Sequence, residues 1–200
     1  NPQITITLPA IQKLIDNNIA FVVCNEKHMP SAMLLHLASN NVQTEIFSHQ
    51  IKASEPLKKN LWRQTIMAKI KNQAALLGIV NKSKPDKFLT NLAKTVKSGD
   101  SSNREAIAAK YYWNKLFPFP FVRDYQGTPP NNLLNYGYAI LRAAIARALM
   151  SSGLLPTLGI HHHNKYNPFC LADDIIEPYR PFVDWHVYNI YNDILNNQPE

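Results

Sequence analysis

Two hundred residues, 46% hydrophobic, 10% aromatic and 18% charged, are enough for one sizeable core or for one domain plus part of another. That composition excludes a low-complexity chain, and no apolar run approaches the roughly 18–20 residues needed to span a bilayer. The net charge of +7, from 21 Lys and Arg against 14 Asp and Glu, is compatible either with a polyanionic partner or with a set of solvated helix faces.

Residues 3–24 read as strand, helix, strand. Ile4-Thr5-Ile6-Thr7 alternates, Leu8, Ile11, Leu14 and Ile15 share a helical face, and Ile19 to Cys24 is a continuous apolar run. Asn17-Asn18 is a plausible helix stop. Nothing nearby in sequence completes the sheet, so the unit looks truncated or borrows its pairing partners. Between Asn40 and Pro56 this mixed segment gives way to helices.

Trp62, Ile66, Ile70, Ala74 and Leu77 repeat every three or four residues, predicting a helix with one apolar stripe and a basic opposite face. A shorter helix is expected over Lys82 to Ser98, broken by Gly99-Asp100-Ser101-Ser102. Arg104 to Leu116 reads as a further helix, Phe117 to Pro130 as a Pro-rich loop, and Asn131 to Ser152 as a long apolar helix with Gly153 at its C-cap. Asn167-Pro168 reads as N-cap and first residue of the next helix, which Pro178 and Pro181 should kink or interrupt. Cys24 and Cys170 are isolated and flanked by apolar residues. Buried free thiols in a reducing compartment are expected of them. No basic-then-apolar leader is visible.

Charge is segregated. Residues 52–73 carry Lys52, Lys58, Lys59, Arg63, Lys69 and Lys71 against Glu55 alone. Residues 82–123 add Lys84, Lys87, Arg104 and others, and from Lys165 onward acid dominates.

Three histidines and four carboxylates fall between Gly159 and Asp184. Asp174 and Glu177, three apart, share a helix face, as do Asp173 and Glu177, and such like charges repel unless a cation neutralises them. An exposed acidic helix start is the plainer alternative. In an extended segment His161 and His163 point one way and His162 the other, so spacing favours a His161/His163 chelate. Imidazole with carboxylates suits Mg²⁺ or Mn²⁺. Glu105 is ambiguous, because Ser102-Asn103-Arg104-Glu105 also fits a capping box. The small side chains of Ala106, Ala108 and Ala109 that follow would let another element approach.

Three segments together resemble the CRISPR-associated integrase, the metal-dependent endonuclease of the spacer-acquisition complex, in its type II-like form. They are Asn103-Arg104-Glu105-Ala106-Ile107-Ala108-Ala109-Lys110-Tyr111-Tyr112, then Leu133 to Leu141, and then Gly159-Ile160-His161-His162 with Leu171 to Pro181 and Asp184. The resemblance implies an α+β protein, with the remnant of an N-terminal β-rich domain over residues 1–45 and a mainly α-helical catalytic domain over 46–200. It further implies a fragment of a longer chain, located in the prokaryotic cytoplasm.

The family's metal ligands are a Glu on the first of these helices, a His at the third position after a Gly, and an acid on the last. By resemblance these fall on Glu105, His162 and Glu177, as catalytic and Mg²⁺- or Mn²⁺-binding residues. Asp174, His161, His163 and Arg180 become accessory. This overrides the His161/His163 pair that spacing favoured. Also implied are 3′-hydroxyl attack on a phosphodiester of a CRISPR repeat, a homodimer, and a small ferredoxin-like partner protein. Lys58, Lys59, Arg63, Lys69, Lys84, Lys87 and Arg104 would grip double-stranded DNA by its phosphates.

Overall fold

The computed structural model describes residues 3–17, 19, 21–26, 30–34 and 40–196. The order is α1 (Leu8–Asp16), β1 (Phe21–Cys24), β2 (Pro30–Leu34), α2 (Gln43–Ile51), α3 (Glu55–Val80), α4 (Lys87–Lys94), a 3-10 turn (Ser98–Asp100), α5 (Arg104–Leu116), α6 (Asn131–Ser151), α7 (Cys170–Ile176), a second 3-10 turn (Glu177–Tyr179) and α8 (Arg180–Asn196). A small β element followed by helices is the α+β class expected from sequence.

The first segment departs from its expected strand-helix-strand form. Ile4–Thr7 forms no strand; Thr7 instead caps α1, its hydroxyl accepting from the Ala10 N–H at 3.4 Å. Asn17 ends that helix, while Asn18 lies outside the described residues. The partner that β1 needed is β2, an antiparallel strand with Phe21 opposite Leu34 and Val22 opposite Met33. Its Pro30-Ser31-Ala32 start hid it from strand propensity. The 45/46 junction falls inside α2.

The helix α3 is the axis of the fold. Its Trp62, Ile66, Ile70, Ala74 and Leu77 are buried as a stripe, packed with Leu89 and Leu92 of α4, Tyr112 and Leu116 of α5, Leu134 of α6 and Ile176 of α7. Ile66 and Ile70 are fully enclosed, so truncating either to Ala should cost about 2–5 kcal/mol. The α4 helix is shorter than expected because Pro85 cannot enter it and Asp86 caps it, accepting from the Leu89 N–H at 3.0 Å.

Helix α6 closes as expected on Gly153, whose φ of +79° suits glycine. Helix α7 begins later than Asn167-Pro168: Asn167 accepts the Phe169 N–H in a turn and donates to Asp173, and the helix starts at Cys170. Before Pro178 the α-helix gives way to the 3-10 turn, whose Pro178 carbonyl accepts from Asn72 of α3 at 2.7 Å. Pro181 sits in the first turn of α8, where its missing N–H is tolerated. Both cysteines are free; Cys170 is buried but Cys24 is exposed, against expectation, at the end of a strand whose last three residues are all exposed. Among the described residues no helix is long and apolar enough to cross a membrane.

Candidate active site

Glu105 stands in the first turn of α5, and the structure excludes the capping-box reading of it. The capping box does not form, since Asn103 is left-handed and its side chain caps nothing. Asp100 caps the helix instead, one carboxylate oxygen accepting from Arg104 N–H and the other from Glu105 N–H, both at 2.9 Å. Ser102, whose hydroxyl the box would have used, is left with an unpartnered buried oxygen. The Glu105 side chain is thereby free to turn toward α3.

There it meets Lys69. This ammonium lies 2.6 Å from Glu105 Oε1 and 2.5 Å from Glu177 Oε2. Glu177 occupies the 3-10 turn where α7 hands over to α8, and its other oxygen accepts from Arg180 Nε at 2.8 Å. One lysine thus joins acids separated by 72 positions in sequence (177 − 105). Burial alone pushes Glu177 toward the neutral form, but Lys69 and Arg180 outweigh it and hold the carboxyl below its ordinary value. Burial likewise opposes the charge on Lys69, while Glu177 and Glu105 together raise its pKa.

The histidine loop is built around Asp174. This fully buried carboxylate accepts the backbone N–H groups of Ile160, His161 and His162 at 2.6, 3.0 and 3.1 Å, and its Oδ1 also meets His162 Nδ1 at 2.6 Å. Gly159 makes the wrap possible, since a Cβ there would lie 2.9 Å from Asp174 Oδ2 and collide with the His162 carbonyl. His161 stacks on the buried Trp62 ring, centroids 4.1 Å apart and planes within 4°. His162 is half exposed; the Asp174 hydrogen bond raises its pKa against the opposing effect of burial. With Nδ1–H donated to Asp174, the Nε2 lone pair of neutral His162 is oriented for another partner. His163 is exposed on the wall of a neighbouring groove of about 870 Å³.

Two carboxylates and a carboxylate-anchored imidazole fit a hard divalent cation in their chemistry. Among the described residues no three His, Cys, Asp or Glu side chains are gathered closely enough to hold an ion as they stand. The cation between Glu105 and Glu177 is Lys69. Asp174 has its oxygens committed to the backbone of the loop and to His162 Nδ1. Arg180 is ion-paired to Glu177 and stacks over Tyr138.

The sequence-predicted DNA contacts divide. Lys59, Lys84 and Lys87 are exposed. Lys58 is half-buried and paired with Glu55, Arg63 spends Nε on the Val96 carbonyl at 2.9 Å, and Arg104 has a buried, unpartnered Nε. Lys69 is not on the basic face at all. Sequence reasoning also missed Tyr112 and Tyr138, whose hydroxyls both donate to the buried Asp184 and tie α5, α6 and α8 beside the acids. Aromatic residues at helical spacing gave no signal of that role.

A small β element with a helical domain, in which Lys69 of the central helix joins acids from two distant elements, defines the class of the protein: an α+β chain with a charged centre among its helices. The family model for CRISPR associated protein Cas1 matches residues 2–198, and the chain belongs to that family. It is 41% identical over 191 residues to the CRISPR-associated endonuclease Cas1 of Neisseria meningitidis serogroup C (strain 8013), covering 96% of this chain and 62% of that relative. A Francisella tularensis subsp. novicida CRISPR-associated endonuclease Cas1 is 34% identical over 137 residues, 59% of this chain and 43% of the relative. The chain thus spans less than two thirds of these curated relatives.

Among solved structures, a casposase bound to integration product superposes with a TM-score of 0.79 at 25% identity, over 96% of this chain and 58% of that one. A partial Cas6-RT-Cas1–Cas2 complex shares the fold, with a TM-score of 0.65 at 24% identity over 94% of this chain and 63% of its own.

Proposed function

We propose that the protein is a divalent-metal-dependent DNA endonuclease and integrase that inserts short foreign DNA into a CRISPR array. The observation that carries the reading is the meeting of Glu105 and Glu177 on one buried cation, with His162 oriented by Asp174 in the adjoining loop. Family membership supports it, as does the likeness to a casposase bound to integration product.

Glu105, Glu177 and Nε2 of His162 would hold Mg²⁺ or Mn²⁺. Such an ion, when bound, supplies charge stabilisation at a phosphate and lowers the pKa of an attacking hydroxyl. Asp174 keeps the imidazole in the tautomer that leaves Nε2 available, and Asp100 keeps Glu105 out of the helix cap. The 3′-hydroxyl of the incoming strand would form the new P–O bond and lose its proton to solvent. Meanwhile the bond from that phosphorus to the 3′-oxygen of the attacked strand breaks, and the departing oxygen takes a proton from solvent to become a hydroxyl. Water in place of the incoming 3′-hydroxyl gives cleavage. Lys59, Lys84 and Lys87 would hold duplex DNA by its phosphates. A homodimer, and a small ferredoxin-like partner, belong to the same reading; the Cas1–Cas2 assembly of a structural neighbour is in keeping with the latter. A prokaryotic cytoplasm, where CRISPR DNA lies, is the compartment it requires.

The test is Mg²⁺- or Mn²⁺-dependent strand transfer with the purified protein. His162→Ala should abolish it and leave the protein folded, with a modest loss of stability from the lost hydrogen bond to Asp174. A silent His162→Ala beside an inactive His161→Ala or His163→Ala would overturn the ligand assignment. Metal-dependent hydrolysis without DNA binding would point to a small substrate, and DNA binding without reaction to a non-catalytic module.

A further inference from the structure

Glu177 cannot present its Oε2 to a metal while Lys69 occupies it, and the same ammonium covers Glu105 Oε1. Four residues on, and so on the same face of α3, stands Gln73. It is 3% exposed, and its Oε1 has no hydrogen-bond partner. An unpaired carbonyl oxygen in so buried a position costs stability. Lys69 and Gln73 line one cavity of about 220 Å³, together with Glu177, Arg180 and Asp184. A lysine carries its charge on a flexible stem that can reach an acceptor one turn away without moving the helix.

We infer that Lys69 is a displaceable internal counter-ion with two seats: between Glu105 and Glu177 when no metal is bound, and on Gln73 Oε1 when a divalent cation takes the carboxylates. The first seat prevents repulsion between two acids in a half-dry site. The second gives the displaced ammonium an acceptor, and gives the orphaned Gln73 oxygen its purpose. Arg180 stays on Glu177 Oε1 in both states and keeps that carboxylate aimed. Lys69 is a positioning residue by this account, and metal affinity is set by an exchange of cations.

The inference rests on the metal-binding reading, so the experiment separates the two. Mn²⁺ binding is followed by electron paramagnetic resonance of the free ion, and melting temperature is measured in EDTA and in Mn²⁺, for the wild type, Lys69→Met, Gln73→Leu and Glu177→Gln. Lys69→Met should tighten Mn²⁺ binding by about tenfold, the effect of removing a competing charge at contact distance. It should also melt lower in EDTA and regain stability with Mn²⁺. Gln73→Leu should weaken Mn²⁺ binding while melting no lower than wild type in EDTA.

Should Lys69→Met fail to fold without metal, its rescue by Mn²⁺ serves the same purpose. Wild-type Mn²⁺ binding that Lys69→Met leaves unchanged or weakens overturns the counter-ion. A Gln73→Leu affinity equal to wild type overturns the second seat. Absence of Mn²⁺ binding by wild type, or binding indifferent to Glu177→Gln, overturns the metal reading and this inference with it.

Discussion

Asp100 holds the backbone of Glu105: its Oδ2 accepts the Glu105 N–H at 2.9 Å while Oδ1 accepts that of Arg104. The residue that starts the helix is therefore not the one whose side chain meets Lys69. Replacing Asp100 by Ala removes two bonds to orphan helix amides and should cost on the order of 1–2 kcal/mol, read from urea unfolding at constant m. Ser102→Ala should be neutral or slightly stabilising, because Ser102 Oγ is buried without a partner. Equal losses for the two variants would restore the capping box.

Asp174 should be the most sensitive acid of the histidine loop. Its carboxylate is fully buried and accepts three backbone N–H groups as well as His162 Nδ1. Asn has one acceptor oxygen, so Asp174→Asn turns an amide N–H₂ against backbone donors and leaves buried amides unpaired, at about 1–3 kcal/mol for each. If the site binds Mn²⁺, losing this anchor should weaken affinity roughly 10–100-fold. Gly159→Ala should act in the same direction, since its Cβ would collide with the His162 carbonyl. Calorimetric melting and Mn²⁺ titration of both variants check this; wild-type affinity in Asp174→Asn would show that His162 needs no orienting partner.

Asp184 gives the fold a pH dependence of unusual sign. Burial raises its carboxyl from 3.8 to about 6, against the lowering effect of the Tyr138 and Tyr112 hydrogen bonds and of Arg180. A group with a raised folded-state pKa contributes stability that is full below its unfolded value and is lost as pH rises through the folded value. Stability from Asp184 is thus present below about pH 4 and declines through pH 6, by at most about 3 kcal/mol for a shift of roughly two units. Glu177, held low, runs the other way: its contribution is lost as pH falls. Denaturant unfolding of wild type and Asp184→Asn across this range should give curves that diverge with a slope. Parallel curves would show that Asp184 does not titrate there.

What the sequence disclosed and what it hid follow a physical division. The stripe Trp62, Ile66, Ile70, Ala74, Leu77 was legible because burial on one helix face leaves a period, and α3 buries those residues. The limits of α5 were legible because Gly99 and Leu116-Phe117-Pro118 punctuate them. Partners distant in sequence leave no period. Nothing local says that Lys69, spaced like its basic neighbours, points inward to Glu105 and Glu177, or that Tyr112 and Tyr138 meet on Asp184. Strand β2 was lost because a five-residue strand beginning with Pro-Ser is indistinguishable from loop until Phe21–Cys24 supplies its partner.

The basic surface yields the last prediction, and Lys69 is its internal control. Each phosphate neutralised by a lysine contributes about 0.9 to the slope of log K against log salt on duplex DNA. Lys84 and Lys87 are exposed, the latter at the start of α4, so Lys84→Ala and Lys87→Ala should each weaken duplex binding and reduce that slope by about 1. Arg63→Ala should lower stability as well, because the guanidinium ties α3 to the Val96 carbonyl. Lys69 carries the same formal charge, but its ammonium is paired with two carboxylates, and a bound duplex would not meet it as a free cation. Lys69→Met should therefore leave the slope unchanged in EDTA. Filter binding from low to moderate salt distinguishes these cases: a slope that falls equally for Lys69→Met and Lys84→Ala would place Lys69 on the DNA and not in the site.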